Sequence, residues 1–308
     1  LFRGLADDLL LLDWLQKRIF PYENSHDRNS LRASARLGIH ELLTSGTTTL
    51  LDMGTLNHQE VIFEEIHNSR MRAFAGNCLI DQNELYPSFK ASKERNLKYT
   101  EELADSFHNH SERIKFGFAP RFVLSCTEGL LKDVKGLSRK YEGSLMHTHS
   151  SENKGEIETV RRMTGKENIE YFDSIGFLDN KTVLAHCIHL NDSEVALLRK
   201  HNTRVSHCPS SNLKLGSGIA DIPRYIKEGI PVSIGADGAP CNNNLSMFTE
   251  MRLAALIQKP IHGPQAMDAL EVFRLATIEG AKALHLEKET GSIEIGKKAD
   301  FVLLDLEK

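Results

Sequence analysis

The sequence predicts an α/β fold, a parallel (β/α)8 barrel of the TIM type, although only seven of the eight strands can be found in the chain. Short runs rich in β-branched residues alternate with longer amphipathic segments, which is the pattern of βαβ units. Three polar residues, His149, His186 and Asp237, each close a short apolar run. The C-terminal ends of barrel strands meet at one mouth, where catalytic residues gather.

The seven predicted strands are short enough to be buried between helices. They are expected at residues 47–51, 71–75, 114–118, 144–148, 182–185, 204–206 and 231–234. Helices are expected between them, for instance at residues 28–43, 93–107, 130–140, 193–200 and 245–257. Seven strands would leave two unpaired edges, which proteins avoid. We therefore expect the first barrel strand upstream of Leu1, and a gap between the first and last strands found here.

The chain is expected to consist of one barrel and a short exit segment. Residues 1–290 are assigned to the barrel. Residues 291–308 begin as a glycine-containing turn and continue as an apolar strand pattern. We interpret this tail as the chain leaving the barrel for a small β domain that is mostly absent here. The chain also starts without methionine, so it is expected to be a piece of a longer protein.

Composition indicates an ordinary globular protein. Of the 308 residues, 40% are apolar and 26% charged, and the formal net charge is −4. This balance gives no sign of a nucleic-acid or membrane surface. No apolar run reaches the roughly 20 residues that a membrane span needs. Five cysteines without a CxxC pair favour a reducing compartment, so we expect a cytoplasmic protein.

The residues at the strand ends suit metal-assisted chemistry. Histidine together with carboxylate suits zinc or another divalent first-row metal. Glu152 follows His149 by three residues and is placed to move protons beside such a metal. His147 lies on the same predicted strand and is expected to pack in the barrel interior. His207 has two open interpretations, a pocket residue or a loop cap.

Several stretches of the chain resemble the amidohydrolase superfamily, in its purine and triazine aminohydrolase branch. The branch contains guanine deaminases, methylthioadenosine and adenosylhomocysteine deaminases, and s-triazine hydrolases. Each stretch alone is weak evidence for the resemblance, but the occurrence of all of them in this order is specific to this branch. The matching stretches are residues 1–8, 44–49, 119–122, 149–152, 185–186, 206–215, 235–238, 251–255 and 291–300.

The resemblance implies a metal-dependent hydrolytic deaminase. His149 and Asp237 would be metal ligands, joined by a His-x-His pair just upstream of Leu1, with zinc as the first choice and iron as an alternative. Asp237 would also accept a proton from the attacking water. Glu152 would protonate a ring nitrogen and then the leaving amine. His186 would orient the attacking hydroxide, and ammonia would leave.

The resemblance also implies which residues contact the substrate, but different residues indicate different substrate classes. Trp14 and Glu23 match the aromatic wall and ribose-binding carboxylate of nucleoside deaminases. Arg121 and Phe122 match guanine deaminases, where the arginine donates to the base carbonyl and the phenylalanine stacks on the ring. The loop that contains Cys241 is closer to nucleoside and triazine members.

We therefore expect a small heterocyclic amine as substrate, first an aminopurine base or its nucleoside, and a homo-oligomeric enzyme. An s-triazine or aminopyrimidine hydrolase is the alternative, and a non-catalytic barrel is a third. If Arg121 donates to an exocyclic oxygen of the base, its loss should harm guanine-type substrates and leave adenosine-type activity largely unchanged, whereas loss of Glu23 should harm ribosides and spare free bases.

Overall fold

The computed structural model describes residues 2–305, and its centre is a parallel sheet. The main path of the sheet runs in the order β1-β2-β4-β5-β6-β7-β8, and β3 pairs with β4 beside it. All seven predicted strands are confirmed. Only β3 is not predicted, because a strand of two residues is too short to show the alternation of buried and exposed side chains. The strands are β1 Thr49–Leu51, β2 Arg72–Ala75, β3 Cys78–Leu79, β4 Ile114–Pro120, β5 Leu145–Ser150, β6 Thr182–His186, β7 Arg204–His207 and β8 Val232–Ile234.

The sheet is open between its first and last strands. Among residues 2–305, β1 pairs only with β2 and β8 only with β7. All three residues of β1 are half-buried, whereas β2 is buried throughout. The gap therefore lies where the sequence predicted it.

The helices cover the outside of the sheet. Most of the longer ones begin at a polar residue whose side chain accepts a backbone N–H, such as Asp27, Ser92, Thr127 and Asn153. No helix within residues 2–305 is both long and apolar enough to cross a membrane. The helices are α1 Leu11–Trp14, a π-helical turn Leu15–Ile19, α2 Phe20–Asn24, α3 Arg28–Thr44, α4 Gln59–Ser69, α5 Lys93–Phe107, a 3-10 turn Val123–Ser125, α6 Glu128–Ser138, α7 Lys154–Thr164, α8 Asn168–Ser174, α9 Asp192–His201, α10 Pro209–Lys214, α11 Ile222–Lys227, α12 Ala239–Asn242, α13 Met247–His262, α14 Ala269–Ala276 and α15 Ile278–Ala283.

Two apolar clusters hold the barrel together. The larger one joins the strands to the surrounding helices and is rich in aromatic rings, for instance Phe63 stacked on Phe107 at 4.4 Å. The smaller one, here called the mouth cluster, joins α1 and α2 to segments that follow strand ends, and so it covers the C-terminal mouth. Its buried members are Ala6, Leu11, Trp14, Leu15, Ile19, Phe20, Leu56, Cys78, Ile80, Phe89, Phe122, Leu215 and Cys241.

The tail does not form the predicted strand. Residues 291–305 contain turns and extended backbone without strand pairing. Ile293 and Ile295 are fully exposed, so these two apolar side chains of the tail are not packed against the described residues. A strand is stable only when its backbone groups are paired. Arg72 at the start of β2 binds Asp300 through Nε at 2.6 Å, which fixes the tail at the end of the barrel opposite the mouth.

Replacing Arg72 with methionine is expected to lower the free energy of unfolding by about 1–3 kcal/mol, because a buried charged hydrogen bond is lost and Asp300 is left unpaired. Urea unfolding measures the change. Lys298→Met is the matched control, since Lys298 pairs with Glu112 at the surface and such pairs contribute at most about 1 kcal/mol. Equal losses in both variants would contradict a specific role for Arg72.

Candidate active site

Three polar side chains meet at the mouth of the sheet. His149 lies in β5, His186 ends β6, and Asp237 follows β8. The rings of His149 and His186 are stacked with their centroids 5.5 Å apart. Nε2 of His186 is 3.8 Å from Oδ2 of Asp237. The predicted convergence of these residues is therefore confirmed, while their chemical roles stay predictions.

The backbone bends sharply where these strands end. His186, Cys187, Ser151 and Asp237 have φ values of 74°, 47°, 52° and 57°. Residues other than glycine adopt this left-handed region at a cost, and here four of them lie at the strand ends that carry the site. The bends are held by bonds between neighbouring strand ends, such as Cys187 N–H donating to the Ser150 carbonyl at 2.9 Å. The turns aim the side chains into the mouth.

His149 is oriented as a metal ligand would be. Its Nδ1 is 2.7 Å from the carbonyl oxygen of Arg121, which can only accept, so Nδ1 carries the proton. The lone pair of the neutral ring is then on Nε2. Burial and the neighbouring His186 lower the pKa of His149 to about 4, so the ring is neutral at pH 7. Histidine ligands are typically oriented by such a bond to a carbonyl.

His186 is completely buried and lies between two carboxylates. Its Nδ1 donates to Oδ1 of Asn212 at 2.8 Å. Its Nε2 is 3.4 Å from Oε2 of Glu152 and has no hydrogen-bond partner within residues 2–305. Burial alone would lower the pKa of His186, but Glu152 and Asp237 raise it above its ordinary value. The site therefore favours a proton on this ring whenever both carboxylates are ionised.

Glu152 has the surroundings of a group that gives and takes protons. It is 4% exposed, and its Oε1 is buried without a hydrogen-bond partner among the described residues. Burial raises the pKa of Glu152 to about 7, with a smaller contribution in the same direction from Asp237 and an opposing one from His186. Glu156 fixes its backbone by accepting the Glu152 N–H at 2.8 Å. A carboxyl with a pKa near neutrality is suited to proton transfer.

Asp237 is held in its ionised form. Its Oδ1 accepts the Gly238 N–H at 2.6 Å, and its Oδ2 accepts the Ser211 hydroxyl at 2.7 Å. Burial by itself raises the pKa of Asp237, but His186 and His149, with the Ser211 hydrogen bond, lower it below the ordinary value. Each oxygen still has a lone pair for a further partner.

Two residues that orient the site were not predicted, Ser211 and Asn212 in α10. Ser211 binds Asp237, and Asn212 binds His186. Glu250, buried in α13, braces α10 by accepting the Ser210 hydroxyl at 2.6 Å. Residues 206–215 are one of the stretches that carry the family resemblance, but only the fold shows which of their polar side chains face the site.

The two other histidines that lie within barrel strands, His147 in β5 and His207 in β7, are neutral packing residues. His147 is buried, and its Nε2 donates to the Asp52 carbonyl at 3.1 Å, as expected for a barrel-interior residue. His207 is completely buried, and neither ring nitrogen has a partner within residues 2–305. Burial lowers the pKa of both rings to about 3. His207 therefore lies in the interior next to His186 and does not cap a loop.

Replacing Asn212 with leucine is expected to lower turnover by about 10–100-fold, the usual cost of losing a residue that orients a functional histidine. Asn212→Asp keeps an acceptor for Nδ1–H of His186 and should recover much of the loss. Steady-state rates, with circular dichroism to confirm folding, measure both variants. Equal activity of the leucine variant and the parent would show that the bond to His186 has no role in turnover.

The predicted substrate residues lie around the same mouth. Arg121 and Glu23 form a two-point ion pair, with Nη1 to Oε2 at 2.6 Å and Nη2 to Oε1 at 3.1 Å. Trp14, Phe122 and Cys241 are all buried in the mouth cluster. The Cys241 thiol donates to the Gly238 carbonyl at 3.0 Å, which places it beside Asp237. The structure thus brings all five predicted residues to one region.

The described residues fit part of a metal site. His149 offers Nε2 and Asp237 offers carboxylate oxygens, a donor set that suits zinc. The buried Nε2 of His186, which lacks a hydrogen-bond partner in the described residues, faces the same space. However, no group of three or more histidine, cysteine, aspartate or glutamate side chains in residues 2–305 is arranged to hold a metal ion by itself. A complete site requires further donors.

The open parallel barrel carries histidines and a carboxylate at its mouth, an arrangement suited to metal-assisted hydrolysis. Residues 1–308 match the amidohydrolase family, and the chain belongs to that family. The 5′-deoxyadenosine deaminase of Methanocaldococcus jannaschii is 38% identical over 311 residues, which is 100% of this chain and 72% of that protein. The 5-methylthioadenosine/S-adenosylhomocysteine deaminase of Thermococcus onnurineus is 38% identical over 312 residues, which is 100% of this chain and 71% of that protein.

Solved structures show the same fold. An adenosine deaminase from Xanthomonas campestris with bound zinc superposes with a TM-score of 0.89 at 29% identity, over 96% of this chain and 66% of that one. The guanine deaminase of E. coli superposes with a TM-score of 0.88 at 29% identity, over 96% of this chain and 68% of that one. The predicted family and barrel fold are confirmed, and this chain spans 66% to 72% of the lengths of these four relatives.

Proposed function

We propose that this chain is the catalytic barrel of a hydrolytic deaminase that releases ammonia from an amino-substituted purine, of the adenosine or guanine type. The observation that carries the proposal is the position of His186 at the mouth of the barrel, with its Nε2 3.4 Å from Oε2 of Glu152 and 3.8 Å from Oδ2 of Asp237. The four relatives are all named as deaminases, which supports the same reaction.

His149 and Asp237 would hold a divalent metal, with zinc as the first choice because a related structure contains it. The remaining donors would come from a strand that fills the gap between β1 and β8. Such a metal, when bound, supplies a nucleophile at neutral pH by lowering the pKa of water to roughly 7. Residues of this chain carry out the other steps of the reaction.

Asp237 accepts one proton of the attacking water, for which its ionised state is suited. His186 orients the water oxygen toward the amidine carbon of the ring. Glu152 donates its proton to the adjacent ring nitrogen, takes up the proton that Asp237 accepted and passes it to the leaving amino group, while the remaining proton of the former water reprotonates Glu152. The carbon–nitrogen bond breaks, and the products are ammonia and a ring carbonyl. The pKa of about 7 allows Glu152 to be protonated before the attack and to be reprotonated afterwards.

The function is tested by measuring ammonia release from the complete, metal-loaded protein. Adenosine, 5′-deoxyadenosine, methylthioadenosine and guanine are the substrates that should respond, and a melamine-like triazine is the comparison. We expect release from at least one purine with a kcat/KM at least 10-fold above that for the triazine. Release from the triazine alone, or from none of the compounds, would contradict the proposal.

A further inference from the structure

The carboxylate of Glu250 lies behind the candidate active site and binds two of its segments at once. Glu250 is in the first turn of α13 and is completely buried. Ala254, one turn further along the same helix, is completely buried in the larger apolar cluster. Because this packing fixes α13 against the barrel, Glu250 is a fixed point to which other segments can be aligned.

The first segment that this carboxylate binds is helix α10, which follows β7. The carboxylate accepts the Ser210 hydroxyl at 2.6 Å on Oε1 and the Ser210 N–H at 3.1 Å on Oε2. The next residue, Ser211, donates to Oδ2 of Asp237 at 2.7 Å. Asn212 accepts Nδ1–H of His186 at 2.8 Å. One short helix therefore connects the carboxylate to two functional side chains.

The second segment is the loop around Asp237. Oε1 of Glu250 also accepts Nδ2–H of Asn242 at 2.9 Å, and the same Nδ2 donates to the Ala236 carbonyl at 2.6 Å. A side-chain amide has two N–H donors, so both are used here. Ala236 directly precedes Asp237, whose backbone has a φ of 57°. Such a conformation persists only where the surrounding structure fixes it, and the bonds of Asn242 contribute to that.

The two segments together determine the position of His186 relative to Asp237, where Nε2 and Oδ2 are 3.8 Å apart. The side chains of both residues are held through α10, and the backbone next to Asp237 is held through Asn242. Both routes lead to the same carboxylate. Loss of Glu250 would therefore allow the two functional residues to shift relative to each other.

We propose that Glu250 is a positioning residue that sets the geometry of Asp237 and His186, and thereby the affinity for the divalent metal and the rate of turnover. Within residues 2–305, its side chain is hydrogen-bonded to Ser210 and Asn242, so it acts through them. This inference rests on the proposed function and adds to it a residue outside the site itself.

The test is Glu250→Gln in the complete protein. Glutamine has nearly the same shape, but one of its two terminal groups is a donor. Because both oxygens of Glu250 accept hydrogen bonds, either orientation of the glutamine places its NH2 group against another donor. We expect zinc affinity and kcat at saturating zinc each to fall by about 10–100-fold, with little change in KM, as for other residues that support a metal ligand. The Nδ1–H resonance of His186, observed by NMR with isotope-labelled histidine, should shift.

The matched control is Glu194→Gln. Glu194 is also buried, and its two oxygens accept the N–H groups of Ile169 at 3.1 Å and Asn191 at 3.0 Å. The same substitution therefore disturbs a buried carboxylate in the same way, but at a position with no hydrogen bond to the site in the described structure. We expect a similar loss of stability, with zinc affinity and kcat within about 3-fold of the parent and an unchanged His186 resonance.

Two milder variants keep the test decisive if Glu250→Gln fails to fold. Ser210→Ala removes one bond to α10, and Asn242→Ala removes the bonds to the loop. Each should weaken zinc binding by about 3–10-fold, the effect of losing a buried hydrogen bond. Only Ser210→Ala should shift the His186 resonance, because Asn242 is not bonded to α10 in the described structure.

Two outcomes would overturn the inference. The first is a folded Glu250→Gln variant with zinc affinity and kcat within about 3-fold of the parent, since a supporting residue contributes more than that. The second is an equal loss in Glu194→Gln, because general destabilisation would then explain the effect. If no compound is deaminated, the proposed function fails, while a loss of zinc affinity together with a shifted His186 resonance would still support the role of Glu250.

Discussion

Replacing Glu152 with glutamine in the complete enzyme is expected to lower kcat by about 10²–10⁴-fold, which is the usual contribution of a positioned proton donor. Glutamine keeps the size and the polar character of the side chain but cannot titrate. The fold should persist, because Glu156 holds the backbone of residue 152 and not its carboxyl group. Ammonia release measures the rate, and metal analysis establishes that the site remains loaded.

The matched control for this variant is Glu158→Gln. Glu158 lies in α7, shortly after Glu152 in the chain, and is exposed, so its loss should change kcat by less than about 2-fold. Turnover of the Glu152→Gln variant within about 3-fold of the parent would exclude Glu152 as the proton donor. A variant that loses activity only because it loses metal would show a role for Glu152 in assembling the site.

The strands and the convergence of the site could be predicted because they follow from local pattern and one rule of the fold. Apolar runs mark the strands, and parallel barrel strands present their C-terminal ends at one mouth. His149, His186 and Asp237 each follow such a run, so the sequence alone places them together. The strand β3 could not be predicted in this way, because Cys78–Leu79 is too short to show a period.

The contacts that orient the site could not be predicted, because they join residues that are distant in sequence. Arg121 and Glu23 are 98 residues apart, and no periodicity relates them. Asn212 lies 26 residues from His186 and reaches it only because β6 and β7 are neighbours. In the tail, a local pattern predicted a strand that the structure does not form in residues 291–305. Its apolar pattern is typical of a strand, but residues 291–305 have no strand to pair with in the described part of the chain.

The mouth cluster explains why the substrate residues gave conflicting indications. Trp14, Phe122 and Cys241 are all buried members of this cluster. Their side chains therefore belong to one packed apolar cluster. A residue type at such a position is constrained by packing, so a match to one subfamily there does not identify the substrate. The polar pair of Arg121 and Glu23 differs from these residues, because two hydrogen bonds fix the orientation of both side chains.

Replacing His149 with glutamine in the complete enzyme is expected to remove most of the bound metal and to lower turnover by more than about 100-fold. Residues that only orient metal ligands already contribute about 10–100-fold, so loss of a ligand should exceed that range. The orientation of His149 by the Arg121 carbonyl leaves Nε2 as the donor, and a glutamine amide is a much weaker ligand for zinc. The zinc content per chain and the thermal shift on zinc addition measure the loss independently of activity.

His147→Gln is the control, because His147 lies two residues earlier on the same strand and binds only the Asp52 carbonyl in the described structure. We expect it to lower stability, since a buried hydrogen bond is disturbed, while the zinc content stays near that of the parent. The two variants thus separate damage to β5 from loss of a metal donor. Zinc content that falls equally in both would mean that the strand as a whole, and not the Nε2 of His149, determines metal binding.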